Sequence, residues 1–219
     1  MDVLITGANR GIGLELVKAY LKRGDRVLAL CRKASDELRA LNVSLEENID
    51  VTDLKKLKEI AKKRSNETYD LLINNAGLLI RMDWEGIDYE QIQKMIEVNT
   101  FGPLKVIQAF LPQIKENGKI AILSSIEGSM GEMKSGGRYG YRLSKAALNN
   151  AGKSLAFDLI PKKIAVALYH PGYVKTGMTE GKGDIPASES AKNLIERFDE
   201  LNLDLAGSFF HANGEKLLW

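Results

Sequence analysis

The sequence predicts an α/β protein with a doubly wound parallel sheet, and two observations support this. Short β-rich apolar runs alternate with helix-period segments from one end of the 219 residues to the other. These runs lack strict alternation with polar residues, which is typical of strands covered on both faces. Neither a repeat nor a linker interrupts the pattern. We therefore expect one three-layer αβα domain over residues 1–219, with about seven strands and helices on both faces, as in Rossmann-type sheets.

Individual elements follow from the local patterns. Five strands are indicated, at 3–6 ("VLIT"), 26–31 ("RVLALC"), 69–74 ("YDLLIN"), 119–124 ("KIAILS") and 164–169 ("IAVALY"). A weaker third strand ends at 47–50 ("ENID"), and 207–210 ("GSFF") is a candidate for the last one. Residues 12–22 and 53–63 carry apolar side chains at helical spacing, the second group behind an Asp53 N-cap.

Composition argues against several classes of protein. Lys and Arg total 31 against 29 Asp and Glu, a net charge of +2, so the clustered basic excess of a nucleic-acid binder is missing. One cysteine and two histidines without metal-binding spacing predict no disulfide and no catalytic metal. No apolar run reaches the roughly 20 residues of a membrane span. A strand predicted from residue 2 leaves no room for a signal peptide, so we expect a cytoplasmic protein.

A glycine-rich turn, "TGANRGIG", follows the first strand and opens a helix. Its glycines, Gly7, Gly11 and Gly13, are spaced GxxxGxG, which differs from both the common dinucleotide fingerprint and the P-loop. Glycines let the backbone approach a phosphate, and the helix N-terminus offers free N–H groups and a positive dipole end. A tight turn without a ligand is the alternative, and three glycines in this place disfavour it.

The end of the second strand bears on the choice of cofactor. A NAD site usually carries an acid there, which binds the ribose 2′-hydroxyl. Here Cys31 is followed by Arg32 and Lys33, and Arg10 lies in the glycine turn. Cationic groups attract a 2′-phosphate and can form bidentate bonds with it. This pattern favours NADP(H) over NAD(H), although a solvated basic loop remains the alternative.

The stretch "YGYRLSKAALN" places Tyr141 and Lys145 one helical turn apart on the same face. An ammonium group near a phenol favours the phenolate, so this pair is a candidate proton donor for a carbonyl oxygen. By itself the spacing also occurs by chance in many helices. Three strand ends agree with the functional interpretation: "LLINNAG", "AILSSIEG" with its paired serines, and "HPGYVKTGM" with Thr176. Open α/β sheets bind ligands at the carboxyl ends of their strands.

Together these stretches resemble the short-chain dehydrogenases/reductases. The resemblance runs from "TGANRGIG" through "NNAG", "VNTFGP", "SSIEG", "YRLSK" and "HPGYVKT" to "GSFFHANGEKLLW". The last stretch is similar to the tail of the sniffer/C-factor-like carbonyl reductases. The resemblance implies an NADPH-dependent oxidoreductase that reduces a ketone or aldehyde to an alcohol by hydride transfer, with a small-molecule carbonyl or alcohol as substrate.

The resemblance also implies roles for matching residues. Tyr141 would be the general acid and base, and Lys145 would lower its pKa while binding the nicotinamide ribose. Ser125 would hold the substrate carbonyl, with Ser124 as its competitor, and Asn99 would support a water that links Lys145 to solvent. The cofactor would be bound by residues at several strand ends, namely Gly7, Asn9, Arg10, Gly11, Ile12, Gly13, Arg32, Asp50, Val51, Asn75, Ala76, Gly77, Tyr141, Lys145, Pro171, Gly172, Val174 and Thr176.

Further expectations concern the loops, the assembly and a rival function. Sixteen positions separate Ser125 from Tyr141, more than is common in the family, and the extra length lies in the Gly-rich stretch 129–138. Tyr139 and Ser144 are expected to pack or to lie at the surface, and His170 is expected to have a structural role. Family members associate through long helices, here around 88–116 and 140–160, so we expect a homodimer or homotetramer. The rival is an NADP(H)-binding regulatory protein with little turnover, which would have no need of the proton donor.

Overall fold

The computed structural model describes residues 1–219 and contains a seven-stranded, entirely parallel sheet. The order of strands is β3-β2-β1-β4-β5-β6-β9. A separate pair, β7 and β8, lies beyond the end of β6. The strands are β1 (Asp2–Thr6), β2 (Arg26–Leu30), β3 (Ser44–Glu46), β4 (Tyr69–Asn74), β5 (Ile114–Leu123), β6 (Ala165–His170), β7 (Val174–Lys175), β8 (Ile185–Pro186) and β9 (Phe209–His211).

Helices cover both faces of this sheet, which confirms the predicted three-layer αβα fold. The helices are α1 (Gly11–Arg23), α2 (Asp36–Arg39), α3 (Leu54–Lys63), α4 (Tyr89–Ile96), α5 (Gly102–Phe110), α6 (Tyr139–Leu159) and α7 (Ala187–Glu200). One apolar core lies between the sheet and α3, α5 and α6. A second core lies between the opposite face and α1, α2 and α7. No helix is both long enough and apolar enough to cross a membrane.

Local sequence determines where several elements begin and end. Helix α1 ends at Gly24, whose φ of 88° suits the left-handed C-cap that glycine favours. Helix α3 begins behind Asp53, whose carboxylate accepts a hydrogen bond from the Lys56 amide, as the sequence predicts. Asp88 caps α4 in the same way through the Gln91 amide.

Several predicted boundaries are wrong. The third strand ends at Glu46, short of residues 47–50, because Asn48 adopts a φ of 57° that interrupts extended structure. The helical stretch that begins near residue 88 ends at Phe110 and not at 116, since Pro112 lies in a 3-10 turn and β5 starts at Ile114. Strand β5 begins at Ile114 and not at 119 as predicted, and Tyr69 of β4 pairs with Ile114 across a register shift.

Candidate active site

The carboxyl end of β5 and the first turns of α6 meet in a close approach that brings Ser125 beside Tyr141. A Cβ atom on Gly128 would lie 2.6 Å from the Lys145 carbonyl carbon, so only glycine permits this contact. On its other side α6 packs tightly against α4, where a Cβ on Gly140 would lie 2.3 Å from Met95 Cε. Two glycines therefore set the position of the helix that carries the Tyr–Lys pair.

Burial shifts the pKa values of the reactive pair in opposite directions. Burial raises the pKa of Tyr141 to about 12, and a hydrogen bond with the Ser125 side chain acts in the opposite sense. Burial lowers the pKa of Lys145 to about 7. The Lys145 ammonium donates to Leu123 O at 2.8 Å, and Nζ lies 5.9 Å from the centroid of the Tyr141 ring. In this structure the pKa of the phenol is thus raised by burial, whereas the sequence argument expects Lys145 to lower it.

The two serines at the end of β5 have different surroundings. Ser125 lies beside the Tyr141 phenol and also accepts a hydrogen bond from the Glu127 amide at 3.2 Å. Ser124 is buried and donates to Asn149 Oδ1 at 2.5 Å. The hydroxyl of Ser124 is therefore occupied within the fold, and the geometry favours Ser125 over its competitor as the substrate-binding serine.

Asn99 lies in a π-helical turn, Glu97–Phe101, that joins α4 to α5. Its side chain is fully buried, and both amide atoms bond the backbone of Leu78, each at 2.7 Å. Asn99 Nδ2 also donates to Ser144 Oγ at 2.9 Å, and Ser144 in turn donates to Tyr141 O at 2.8 Å. The Asn99 side chain thus links the segment after β4 to the helix that carries Tyr141, and it has no free polar atom.

Sequence reasoning missed the part that Ser144 plays in this link. Ser144 is completely buried and lies between Asn99 and the Tyr141 carbonyl. Its position next to Lys145 in sequence was visible, but nothing in the sequence shows that it would meet a residue 45 positions away. Tyr139, by contrast, packs against Trp84 with ring centroids 5.9 Å apart, in agreement with a packing role.

The glycine-rich turn is held by the second asparagine of "NNAG". Asn75 Nδ2 donates to Thr6 O at 2.9 Å and to Gly7 O at 3.0 Å. A Cβ on Gly13 would lie 2.3 Å from Gly7 O and 2.5 Å from Asn75 Nδ2. The glycines are therefore needed for the packing of the turn itself, and the amide of Asn75, which is among the predicted cofactor residues, holds the turn in place.

The start of α1 has the properties of an anion site. No side chain caps its N-terminus, no acidic residue lies in its first turn, and its dipole presents positive charge there. Thr176 lies opposite, since a Cβ on Gly11 would come within 3.4 Å of Thr176 Cγ2. These features fit the diphosphate of a dinucleotide between the glycine turn and the segment after β6.

Exposed cations lie at the adjacent end of β2. Arg10, Arg32 and Lys33 are all exposed. The carboxylate of Glu47, which lies in the same region, pairs with Arg39 at 2.7 Å and accepts from the Ala34 amide. The Glu47 carboxylate is therefore bound by Arg39 and by the Ala34 amide. The exposed side chains beside the glycine turn are cationic, which suits a 2′-phosphate.

The remaining predicted cofactor residues lie around the same strand ends, and several have structural partners. Asp50 Oδ1 accepts from the amide and the hydroxyl of Thr52, at 2.9 and 2.7 Å. Val51 is buried against Gly102, whose Cβ would come within 2.8 Å of Val51 Cγ2. The other predicted cofactor residues lie near the strand ends. Val174 is buried, and the rest are half-buried, namely Asn9, Ile12, Ala76, Gly77, Pro171 and Gly172.

A pair of histidines lies at the carboxyl ends of β6 and β9. His170 and His211 are register partners, and their rings meet edge to face at 4.9 Å. Burial, followed by the charges of His211 and Lys145, lowers the pKa of His170 to about 3. His170 is therefore neutral at neutral pH, which agrees with the structural role that the sequence predicts.

Comparison with known proteins agrees with this geometry. Residues 2–185 match the family model described as short chain dehydrogenase. The chain is 34% identical over 226 residues to the 1-hydroxy-2-glutathionyl-2-methyl-3-butene dehydrogenase of Rhodococcus sp. (strain AD45), with 99% of each protein covered.

Solved structures show the same likeness. The carbonyl reductase Sniffer of D. melanogaster superimposes with a TM-score of 0.90 at 28% identity, covering 100% of this chain and 99% of that one. The NADPH-bound carbonyl reductase from chicken fatty liver gives a TM-score of 0.90 at 28% identity, with 100% and 98% covered. The family match over most of the sequence shows that the chain belongs to the short-chain dehydrogenases, and within that family it lies near the sniffer-like carbonyl reductases.

Proposed function

We propose that the protein is an NADPH-dependent carbonyl reductase in which Tyr141 donates a proton to the carbonyl oxygen of a ketone or aldehyde. The observation that supports this most directly is the meeting of Tyr141 with Ser125, with Lys145 one turn along the same helix. Likeness to carbonyl reductases agrees with it. The expected cytoplasmic location and small-molecule substrate belong to the same proposal.

The side chains divide the work of carbonyl reduction. The Ser125 hydroxyl donates a hydrogen bond to the carbonyl oxygen and orients it toward the Tyr141 phenol. Tyr141, with a pKa of about 12, carries its proton at neutral pH and delivers it as negative charge develops on the oxygen. Lys145, which donates to Leu123 O in this structure, would hold the nicotinamide ribose of a bound cofactor, and its positive charge would stabilise the phenolate that remains.

A phenol that holds its proton at neutral pH is in the form that carbonyl reduction requires, whereas alcohol oxidation requires the phenolate.

When bound, the NADPH cofactor would supply the hydride that converts the carbonyl carbon to the alcohol. In this proposal the N-terminus of α1 and Thr176 hold its diphosphate, and Arg10 and Arg32 hold its 2′-phosphate. The protein would contribute position and charge.

Replacement of the phenol tests the mechanism. Tyr141→Phe is expected to lower kcat by roughly 10³-fold or more, because it removes the proton donor, while NADPH still binds. Tyr139→Phe is the matched control, two positions away on the same helix, and it is expected to keep its turnover. The measurements are NADPH absorbance during turnover and NADPH fluorescence on binding. Full activity of Tyr141→Phe would refute the proposed role.

The rival function has a distinct outcome. A regulatory protein with this fold would bind NADPH tightly, but none of the carbonyl compounds tested would cause it to oxidise the NADPH. We expect NADPH oxidation with at least one member of a broad panel of ketones, aldehydes and quinones. Glutathione-conjugated alcohols with NADP test the reverse reaction, because one relative is named as a dehydrogenase of such an alcohol. Tight binding without turnover across both panels would favour the regulator.

A further inference from the structure

The segment 129–138 connects the two halves of the active site, since it runs from the turn after Ser125 to the start of α6. It is also the Gly-rich stretch that makes the Ser125–Tyr141 spacing long. Two large apolar side chains in it face solvent, Met130 at 77% and Met133 at 50% exposure. Exposed apolar groups in a segment that joins two residues of the proposed site are candidates for substrate contact.

The first part of this loop is attached to the tail segment, which we define as Leu217–Trp219. Gly131 N donates to Trp219 O at 3.0 Å, and Leu218 N donates to Glu132 Oε1 at 3.4 Å. The contact is close, because a Cβ on Gly131 would lie 2.8 Å from Leu218 Cβ and 3.1 Å from Leu218 Cδ1. The tail segment therefore lies directly against the backbone that carries Met130 and Met133.

The tail segment is itself fixed to the core. Leu217 is buried, and its amide donates to Phe209 O at 2.8 Å. The Trp219 ring stacks on Phe209 with centroids 5.6 Å apart, and Lys153 Nζ lies 4.7 Å from the Trp219 ring centroid. These contacts connect the tail segment to β9 and α6, both of which contribute buried side chains to the core.

The second part of the loop has different anchors. Arg142 of α6 donates to the Ser135 carbonyl and pairs with Glu127 at 2.6 Å, while Arg138 N donates to Met82 O at 3.1 Å. A glycine within this second part, Gly136, has nothing within 4 Å of where its Cβ would lie. The contacts with the tail segment thus all fall in the methionine-bearing part of the loop, where Glu132 N also donates to the buried Ser129 Oγ at 3.1 Å.

We propose that the tail segment is a positioning element of the substrate site: by holding Gly131 against Leu218 it fixes Met130 and Met133 as an apolar wall, and so selects carbonyl compounds with an apolar chain. This inference rests on the proposed carbonyl reductase function. Leu218 and Gly131 act through the methionines, whereas Tyr141 and Ser125 act on the carbonyl itself.

The two exposed glycines of the loop provide a matched test. Gly131→Ala drives a Cβ into Leu218 Cβ and must displace the tail segment or the loop, whereas Gly136→Ala enters open space. Across an unbranched series from propanal to decanal, Gly131→Ala is expected to raise KM for decanal about tenfold, the low end of what one methylene contact is worth in a hydrophobic pocket. Its kcat and its KM for propanal stay at the parent values, and Gly136→Ala matches the parent throughout.

A second substitution and a second measurement check the cause. Leu218→Gly removes the colliding Cβ, so the double variant Gly131→Ala/Leu218→Gly is expected to recover part of the lost decanal KM. Trypsin cleavage after the exposed Lys134 reports on loop mobility without any turnover. Cleavage is expected to be faster in Gly131→Ala than in Gly136→Ala.

The outcomes separate the two proposals. If none of the carbonyl compounds supports NADPH oxidation by the parent protein, the carbonyl reductase function fails and the inference fails with it. If the parent turns over but Gly131→Ala and Gly136→Ala have equal KM for decanal, only the inference is overturned. An equal loss of kcat for propanal and decanal in Gly131→Ala would also overturn it, because general damage to the site, and not chain selection, would then explain the effect.

Discussion

At the scale of the residue, the site depends on burial of two ionisable side chains with opposite consequences. Burial keeps the proton on Tyr141, whose pKa rises to about 12, and weakens the hold of Lys145 on its proton, with a pKa near 7. The first effect favours the acid that carbonyl reduction requires. The second costs folding free energy, because the unfolded chain binds that proton more tightly. Activity and stability therefore compete at Lys145.

The cost at Lys145 has a defined pH dependence. Its pKa is about 7 in the fold against an ordinary value of 10.5, so between these values the unfolded chain binds more protons and stability rises with pH. Lys145→Met removes this dependence. The stability of the variant relative to the parent is expected to fall by about 1 kcal/mol per pH unit from pH 7.5 to 9.5.

Urea unfolding at several pH values measures this difference. Lys58→Met, at an exposed position of α3, is the control and is expected to differ from the parent by a nearly constant amount. If the unfolding free energy of Lys145→Met relative to the parent stays constant or increases with pH, the assignment of a depressed Lys145 pKa is contradicted.

In the proposed cofactor site, single residues are expected to decide between NADP and NAD. Arg32 is exposed at the end of β2, where an Asp would repel a 2′-phosphate and could bond a 2′-hydroxyl. We expect the parent to bind NADP at least tenfold more tightly than NAD, and Arg32→Asp to erase or reverse this gap. Fluorescence titration with both nucleotides measures it. Equal affinities in the parent protein would refute the NADP assignment.

At the scale of the element, strands and helices were more predictable than their ends and their contacts. Apolar runs and helical spacing predict the parallel sheet and the position of α6, because burial on both faces leaves a direct trace in sequence. The end of β3 depends on the left-handed conformation of Asn48, which asparagine permits without requiring. The π-helical turn that carries Asn99 has no local signature and arises from packing.

Contacts between distant segments were the least predictable. Nothing in the pattern of residues indicates that Asn75 braces the glycine turn or that Leu218 packs on Gly131, since each contact depends on a tertiary arrangement. A family motif identifies a set of residues that occur together. Only the structure distinguishes the residues that hold the turn in place from those that are free to contact a ligand.

The glycine turn allows a test at this scale. Gly13→Ala places a Cβ 2.3 Å from Gly7 O, so the turn must open and the Asn75 bonds must lengthen. We expect a loss of about 1–3 kcal/mol in stability, as for other overpacked sites, together with weaker NADPH binding. Gly86→Ala, which meets nothing within 4 Å, is the control. Thermal unfolding and nucleotide titration measure the two effects, and parental values for Gly13→Ala in both would contradict the account.

At the scale of the whole molecule, exposed apolar side chains accumulate on α6 and the segments next to it. Phe101, Leu143, Phe157 and Ile160 are 45%, 52%, 64% and 38% exposed. Exposed apolar groups on a helix and its neighbouring segments are typical of association surfaces. They agree with the homodimer or homotetramer expected from long helices of this family.

Light scattering tests the assembly. The parent protein is expected to have the mass of a dimer or tetramer, and Phe157→Glu to shift that mass toward the monomer, because it buries a charge in the contact. Leu203→Glu, on a separate turn and 38% exposed, is the control and is expected to leave the mass unchanged. A parent that is monomeric at micromolar concentration would refute the expected assembly.

The brace on the glycine turn also has a consequence for synthesis of the chain. Asn75 bonds Thr6 and Gly7, partners that lie 69 and 68 positions earlier, and β1 pairs with β4 across the same interval. During translation the turn leaves the ribosome long before the strand and the amide that complete it. A nascent chain that stops before β4 therefore has the glycines without the nucleotide site. Cofactor can assist folding only after roughly the first third of the protein has emerged, because until then there is no formed site for it to stabilise.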